Sequence, residues 1–198
     1  MVEEKINIVQ IGANTGDDDV FSFIIEHKNN ISKIVLVEPI PFIIENLKNK
    51  YSDISNVIIE KCAITNTTEE TLPFFYEDNS DNYQVSSFNH QHVIKSVRSN
   101  NKIVSMNVPV MTINKLFEKH KMQHIHHLFI DTEGKDADII ESIDFDKYDI
   151  DNITFESAHT DGNWNKSERY NNLVTFLKDK HYDVQDIDQL NSKAIKRL

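Results

Sequence analysis

Short β-branched runs that stop abruptly and give way to segments with apolar residues at helical spacing constrain this chain more than any other feature. Ile6 to Ile11 is such a run; it ends at Gly12, and from Asp17 to Lys28 the residues Val20, Phe21, Ile24 and Ile25 repeat with helical period. Ile34-Val35-Leu36-Val37 is apolar without alternation, as in a strand covered on both faces, and Phe42 to Tyr51 follows as an amphipathic helix through Ile43, Ile44 and Leu47. A third strand is predicted over Val57 to Cys62. The rhythm returns with Leu128-Phe129-Ile130, a helix over Asp136 to Ile143, a strand at Ile153 to Glu156 and a helix from Ser167 to Lys180. Tyr182 to Ile187 and the stretch near Ala194-Ile195 read as a closing edge hairpin. Successive βα units dictate a mostly parallel sheet with right-handed crossovers and helices on both faces.

The middle is less regular. Leu72 to Tyr76 alternates weakly as a strand, residues 77–82 and 89–102 are polar and read as loops, and Ile103 to Met111 reads as another strand. Thr112 is placed to cap a helix over Ile113 to His120. At 198 residues the chain suits one domain spanning 1–198, with 72–111 as an insertion that covers a substrate or forms a lid. A net charge of −11 repels polyanions, which argues against nucleic acid as partner. No apolar stretch is long enough for a membrane span, and the start at Met1-Val2-Glu3-Glu4-Lys5 has no secretory character. With Cys62 as the single cysteine, these features lead us to expect a cytoplasmic protein without a disulfide framework or Cys-rich zinc site.

Ligands of open parallel sheets sit beyond the carboxyl ends of the strands, and the first βα turn lies there. Here that turn is Gly12-Ala13-Asn14-Thr15-Gly16, which holds two of the chain's four glycines. Glycine lets backbone approach a ligand closely, and the helix start beyond it presents unpaired N–H groups. Glu38, at the end of the second strand, stands where a carboxylate grips a ribose diol. The turn lacks the third glycine of the dinucleotide pattern and the Gly-Lys-Ser/Thr of a phosphate loop. No G-x-S-x-G elbow marks a hydrolase.

Further motifs follow in order: Glu38-Pro39-Ile40-Pro41, Cys62-Ala63-Ile64, Met111-Thr112-Ile113-Asn114-Lys115-Leu116 and Phe129-Ile130-Asp131-Thr132-Glu133-Gly134. In sequence and spacing, from Ile6 to about Glu156, the chain resembles the FkbM family of S-adenosylmethionine-dependent methyltransferases of class I. The resemblance implies a Rossmann-like α/β fold with a seven-stranded sheet. It also implies S-adenosylmethionine as cofactor, S-adenosylhomocysteine as product, and methyl transfer to a hydroxyl of a small molecule, sugar or glycan. Cofactor contacts are then expected from Gly12, Ala13, Asn14, Thr15, Gly16, Glu38, Pro39, Cys62, Ala63 and Asp131. Two departures stand out: Gln10 replaces the aspartate that commonly precedes the glycine motif, and Lys135-Asp136-Ala137-Asp138 opens the next helix unusually. The short amino terminus lacks a covering helix, so a lid would come from the middle loops or from a second subunit.

For a hydroxyl acceptor the protein must align the reacting atoms and take a proton. Asp131, Glu133 and His159 are the expected catalytic residues, with Glu156 at the same sheet end; Asp131 contacts the reacting end, and His159 is the best base by its unperturbed pKa. Asp131, Glu133 and Glu156 also suit a hard divalent cation, a reading ranked below the metal-free one. His124, His126 and His127 lie at the opposite end of the fourth strand, with His127 on the other face, and are read as structural. The acceptor pocket is expected from Tyr76 to Phe88, residues 89–102 and the loop from His159 to Trp164. Two other classes remain open: a dinucleotide-dependent oxidoreductase, which would prefer NAD, and a catalytically silent cofactor-binding protein.

Overall fold

The computed structural model describes residues 5–78, 83–97, 101–158 and 166–197. Strand β1 (Ile6–Ile11) leads through the glycine turn into α1 (Asp19–His27), β2 (Ile31–Val37) into α2 (Pro41–Lys50), and β3 (Val57–Glu60) follows. After the middle segment, β7 (His124–Ile130) leads into α5 (Asp136–Glu141), β8 (Asp149–Glu156) into α6 (Glu168–Asp179), and β9 (Tyr182–Asp186) with β10 (Asn191–Lys196) closes the sheet. The strand order is β3-β2-β1-β7-β8-β10-β9. The first five of these strands run parallel, and β10 is antiparallel to both its neighbours. The expected α/β sheet of seven strands with an antiparallel edge hairpin is therefore the fold observed.

The middle segment builds a second sheet in the order β4-β6-β5, from β4 (Ala63–Ile64), β5 (Thr71–Glu77) and β6 (Ile103–Met111). Thr112 caps α4 (Ile113–His120) by accepting the Lys115 N–H, as its position predicts. One expectation fails: the polar stretch read as loop over 89–102 contains α3 (His90–Ser96). Asn89 starts it, its Oδ1 accepting the Gln91 and His92 N–H groups, and His92 and Val93 are the residues it buries. Only a short apolar stripe remains, too brief for periodicity to reveal.

Apolar side chains fill both faces of the large sheet. Val9, Ile11, Leu128, Ile130, Ile153 and Phe155 belong to one core, with Leu116, Phe117, Leu173 and Leu177 from the helices. Ile8, Ile34 and Leu36 form the other, against Ile24 of α1 and Leu47 of α2. Along β1, Ile8 enters one core and Val9 and Ile11 the other, which explains why apolar residues fall on both faces of this strand. A third cluster joins Ile40 and Ile43 to Phe74 and Val108, fixing the small sheet beside the end of β2. Among the described residues no helix is long and apolar enough to cross a membrane.

Candidate active site

Strand register brings the motif residues to one level. Ile11 pairs with Val37 on one side and with Ile130 on the other, so Gly12, Glu38 and Asp131 leave the sheet together where the strand order reverses. Ile130 pairs with Phe155, which adds Glu156 to the same edge. Gly12 has φ of 83°, and a Cβ there would stand 1.8 Å from the Asp131 carbonyl oxygen. No other residue fits that crossing of two backbone segments.

A cavity of about 270 Å³ opens over these strand ends. Of the expected cofactor residues, Gly12, Ala13, Asn14, Thr15, Glu38, Pro39, Cys62, Ala63 and Asp131 line it. Gly16 does not: with φ of 75° it packs under α2, where a Cβ would meet Tyr51 at 2.8 Å and Leu47 at 3.1 Å. The turn's second glycine thus serves helix packing. The roof comes from Phe74 and from Tyr83, Gln84, Ser86 and Phe88 of the middle segment.

Glu38 is 4% exposed, and its two oxygens accept the Asn14 N–H at 2.9 Å and the Ile40 N–H at 2.8 Å. The carboxylate clasps the glycine turn to the loop after β2 and still lines the cavity. Burial pushes its pKa up to about 7, against the pull of the two N–H groups. The Gln10 side chain, in place of an acid, donates to Asp18 Oδ2 at 2.6 Å, and Asp18 caps α1 through the Phe21 N–H. The Cys62 thiol, buried and beside Glu60, is pushed up to about 12; it is a wall residue and no nucleophile.

At the other end of the cavity Asp131 and Glu133 line the wall, and their carboxylates lie with that of Glu156 within 4.8 Å of one another. Asp131 is exposed toward the cavity, yet the surrounding protein atoms and the charges of Glu156, Asp136 and Glu133 raise its pKa above the ordinary carboxylate range. Glu133 sits in the left-handed region with φ of 52°. Its carboxylate meets His92 Nε2 at 2.6 Å, and its carbonyl accepts the Ser87 hydroxyl at 2.9 Å. Asp136, 1% exposed, accepts the Thr132 N–H and hydroxyl through one oxygen and the Glu156 N–H through the other, which ties the Asp-Thr-Glu-Gly turn to β8. Burial raises its pKa to about 7. Sequence reasoning noted Asp136 only as a departure and missed His92; the Asn89 cap was the one local signal for the latter. His159 and the loop to Trp164 lie outside the described residues.

A second recess of about 730 Å³ adjoins the first across Phe88, lined by Thr65, Phe75, His90, Gln91, Lys135 and Arg169 among others. Away from both, His124 and His126 stack at 4.2 Å and gather with Asp151, with His124 Nε2 3.0 Å from Asp151 Oδ1. His126 Nδ1 accepts the Asn7 N–H at 3.1 Å, so a neutral ring carries its proton on Nε2, the wrong tautomer for metal ligation there. His127 turns to the opposite face against Phe23 and Phe129.

The strand order, the antiparallel edge and the cavity at the switch point define a Rossmann-like fold of the class I methyltransferase type. Solved structures agree. Methyltransferase FkbM from Methylobacillus flagellatus KT matches with a TM-score of 0.56 at 13% identity, over 96% of this chain and 43% of that one. This chain thus spans less than half the length of that protein. A Streptococcus mutans protein solved in complex with S-adenosylhomocysteine matches with a TM-score of 0.50 at 11% identity, over 98% and 90% of the two chains. The Methanococcus jannaschii fibrillarin, a pre-rRNA processing protein, gives 0.51 at 13%, over 98% and 67%. No curated protein sequence matches. The methyltransferase FkbM domain model matches residues 10–188, and the chain belongs to that family.

Proposed function

We propose that this protein is an S-adenosylmethionine-dependent methyltransferase that acts on a hydroxyl of a small molecule, sugar or glycan. The observation that carries this reading is the convergence of Gly12, Glu38 and Asp131 on one cavity. Residues 1–198 act as one catalytic domain, with 72–111 as the part that covers the substrates. Glu38, its carboxylate already oriented by two N–H groups, accepts from the ribose hydroxyls, and Pro39, Cys62 and Ala63 wall the base. Asn14 and Thr15, with Asp131, face the amino-acid end. Bound there, S-adenosylmethionine would supply a methyl group activated by its sulfonium. With it in place, the protein would align an acceptor oxygen in line with the methyl–sulfur bond, and Asp131 or Glu133 would take the hydroxyl proton as the methyl group leaves sulfur for that oxygen. The product is S-adenosylhomocysteine. No divalent cation is required by this scheme.

The test is calorimetric titration with S-adenosylhomocysteine. The wild type is expected to bind at micromolar concentration, and Glu38→Gln to bind about 10- to 100-fold more weakly, the range for hydrogen bonds to a charged group. A wild type that shows no binding, or that prefers NAD, would sink the reading. Transfer of a labelled methyl group to a panel of sugars and phenols then separates an enzyme from a silent cofactor binder.

A further inference from the structure

A histidine and a glutamate pressed together out of solvent rarely stabilise a fold better than an apolar pair would, so such a pair calls for another reason. His92 and Glu133 are such a pair: their side chains are 1% and 19% exposed, and Nε2 lies 2.6 Å from Oε2. They belong to separate parts of the chain. His92 is on α3, while Glu133 is in the turn after β7, beside Asp131 and within 4.8 Å of it and of Glu156. A second tie runs in parallel, from the buried Ser87 hydroxyl to the Glu133 carbonyl, and Ser87 Oγ in turn accepts the Asn89 N–H. Asn89 caps α3 and so aligns His92 itself. The stretch 83–97 is therefore gripped at one residue by both its backbone and its side chain. The same stretch supplies Tyr83, Gln84, Ser86 and Phe88 to the cofactor cavity, and Phe88 is shared with the second recess.

We propose that His92 is a positioning residue: through Glu133 it holds the 83–97 segment over the cofactor cavity as the wall between the two recesses, and cofactor leaves only when this contact opens. The inference rests on the cofactor assignment made above for what the cavity holds; the contact itself does not. With Glu133 ionised, its oxygen can only accept, so Nε2 carries the proton and an amide in its place can still donate. That separates a latch from mere filling of space. His92→Leu keeps bulk and removes the donor; His92→Gln keeps a donor; Glu133→Gln removes the charge from the other side.

Two readouts decide the matter on the full chain: hydrogen exchange of the 83–97 amides, and the dissociation rate of S-adenosylhomocysteine. In His92→Leu the amides are expected to exchange about 10-fold faster, and S-adenosylhomocysteine to leave about 10-fold faster with an unchanged association rate, as for loss of one charge-assisted hydrogen bond. His92→Gln and Glu133→Gln, which each keep a neutral hydrogen bond, should show smaller accelerations of both, between His92→Leu and the wild type. Exchange across 83–97 that is unchanged in both His92→Leu and Glu133→Gln overturns the proposal. If His92→Leu fails to fold, the near-isosteric Glu133→Gln decides alone. A wild type that binds no S-adenosylhomocysteine fells the cofactor reading, while the exchange data still judge the latch.

Discussion

Gly12 shows how closely the site is built into the fold. Its missing side chain is what allows the end of β1 to cross the Asp131 carbonyl, where a methyl group would stand 1.8 Å from oxygen against backbone that cannot rotate away. Gly12→Ala is therefore expected to displace either the glycine turn or the Asp131 turn, lowering stability by several kcal/mol and abolishing S-adenosylhomocysteine binding. A thermal melt and a titration check this together, and a variant with wild-type affinity would contradict it. Asp136 is the second residue of this kind. Removing its three accepted hydrogen bonds in Asp136→Ala should cost about 3 kcal/mol, seen as a fall of about 6–12 °C in Tm. Gly12, Glu38 and Asp131 were legible in the sequence because a motif after a strand declares both its residue type and its level in the sheet. Asp136 and His92 were not, because burial of a polar side chain is decided by partners far along the chain: Asp136 by Glu156, and His92 by Glu133.

At the scale of elements, the central strands of the large sheet could be read where an apolar run such as Ile34 to Val37 or Leu128 to Ile130 stops at a polar motif. β6 and α4 were read with the bounds observed, helped by the Thr112 cap. α3 escaped because its seven residues bury only His92 and Val93. The role of Gln10 also needed the structure: it joins β1 to the cap of α1 through Asp18. Asp18→Ala loses both the cap and this partner, and the Gln10 amide then has no acceptor in its place. The expected cost is about 1–2 kcal/mol, or about 2–8 °C in Tm, with helix content otherwise kept. Asp18→Asn, which retains a capping oxygen, should recover most of it.

The whole molecule carries a net charge of −11, yet the buried carboxyl groups of Glu38 and Asp136 hold protons more tightly than they would unfolded. The consequence for stability has a definite sign. Glu38 and Asp136 have ordinary values of 4.5 and 3.8 and reach about 7 in the fold. Between those limits the folded chain binds protons that the unfolded chain has released, so stability falls as pH rises through 7. Asp131, also raised, acts in the same direction. His127, which burial lowers from 6.5 to about 4, opposes this below pH 6.5, because there the unfolded chain takes up a proton first. At lower pH still, Asp186, held at about 2 by Lys166, Tyr170 and Ser192, adds stability that is lost as pH falls from about 4 to 2. Above pH 6.5 the buried carboxyl groups dominate this balance. Glu38 and Asp136 together should then make the ligand-free chain about 1.5 kcal/mol more stable at pH 6.5 than at pH 8, a rise of about 3–6 °C in Tm. Melts at the two pH values measure it. Asp136→Asn, which cannot titrate, should lose about half of the rise, whereas an undiminished rise in that variant would mean that the protons are taken up elsewhere.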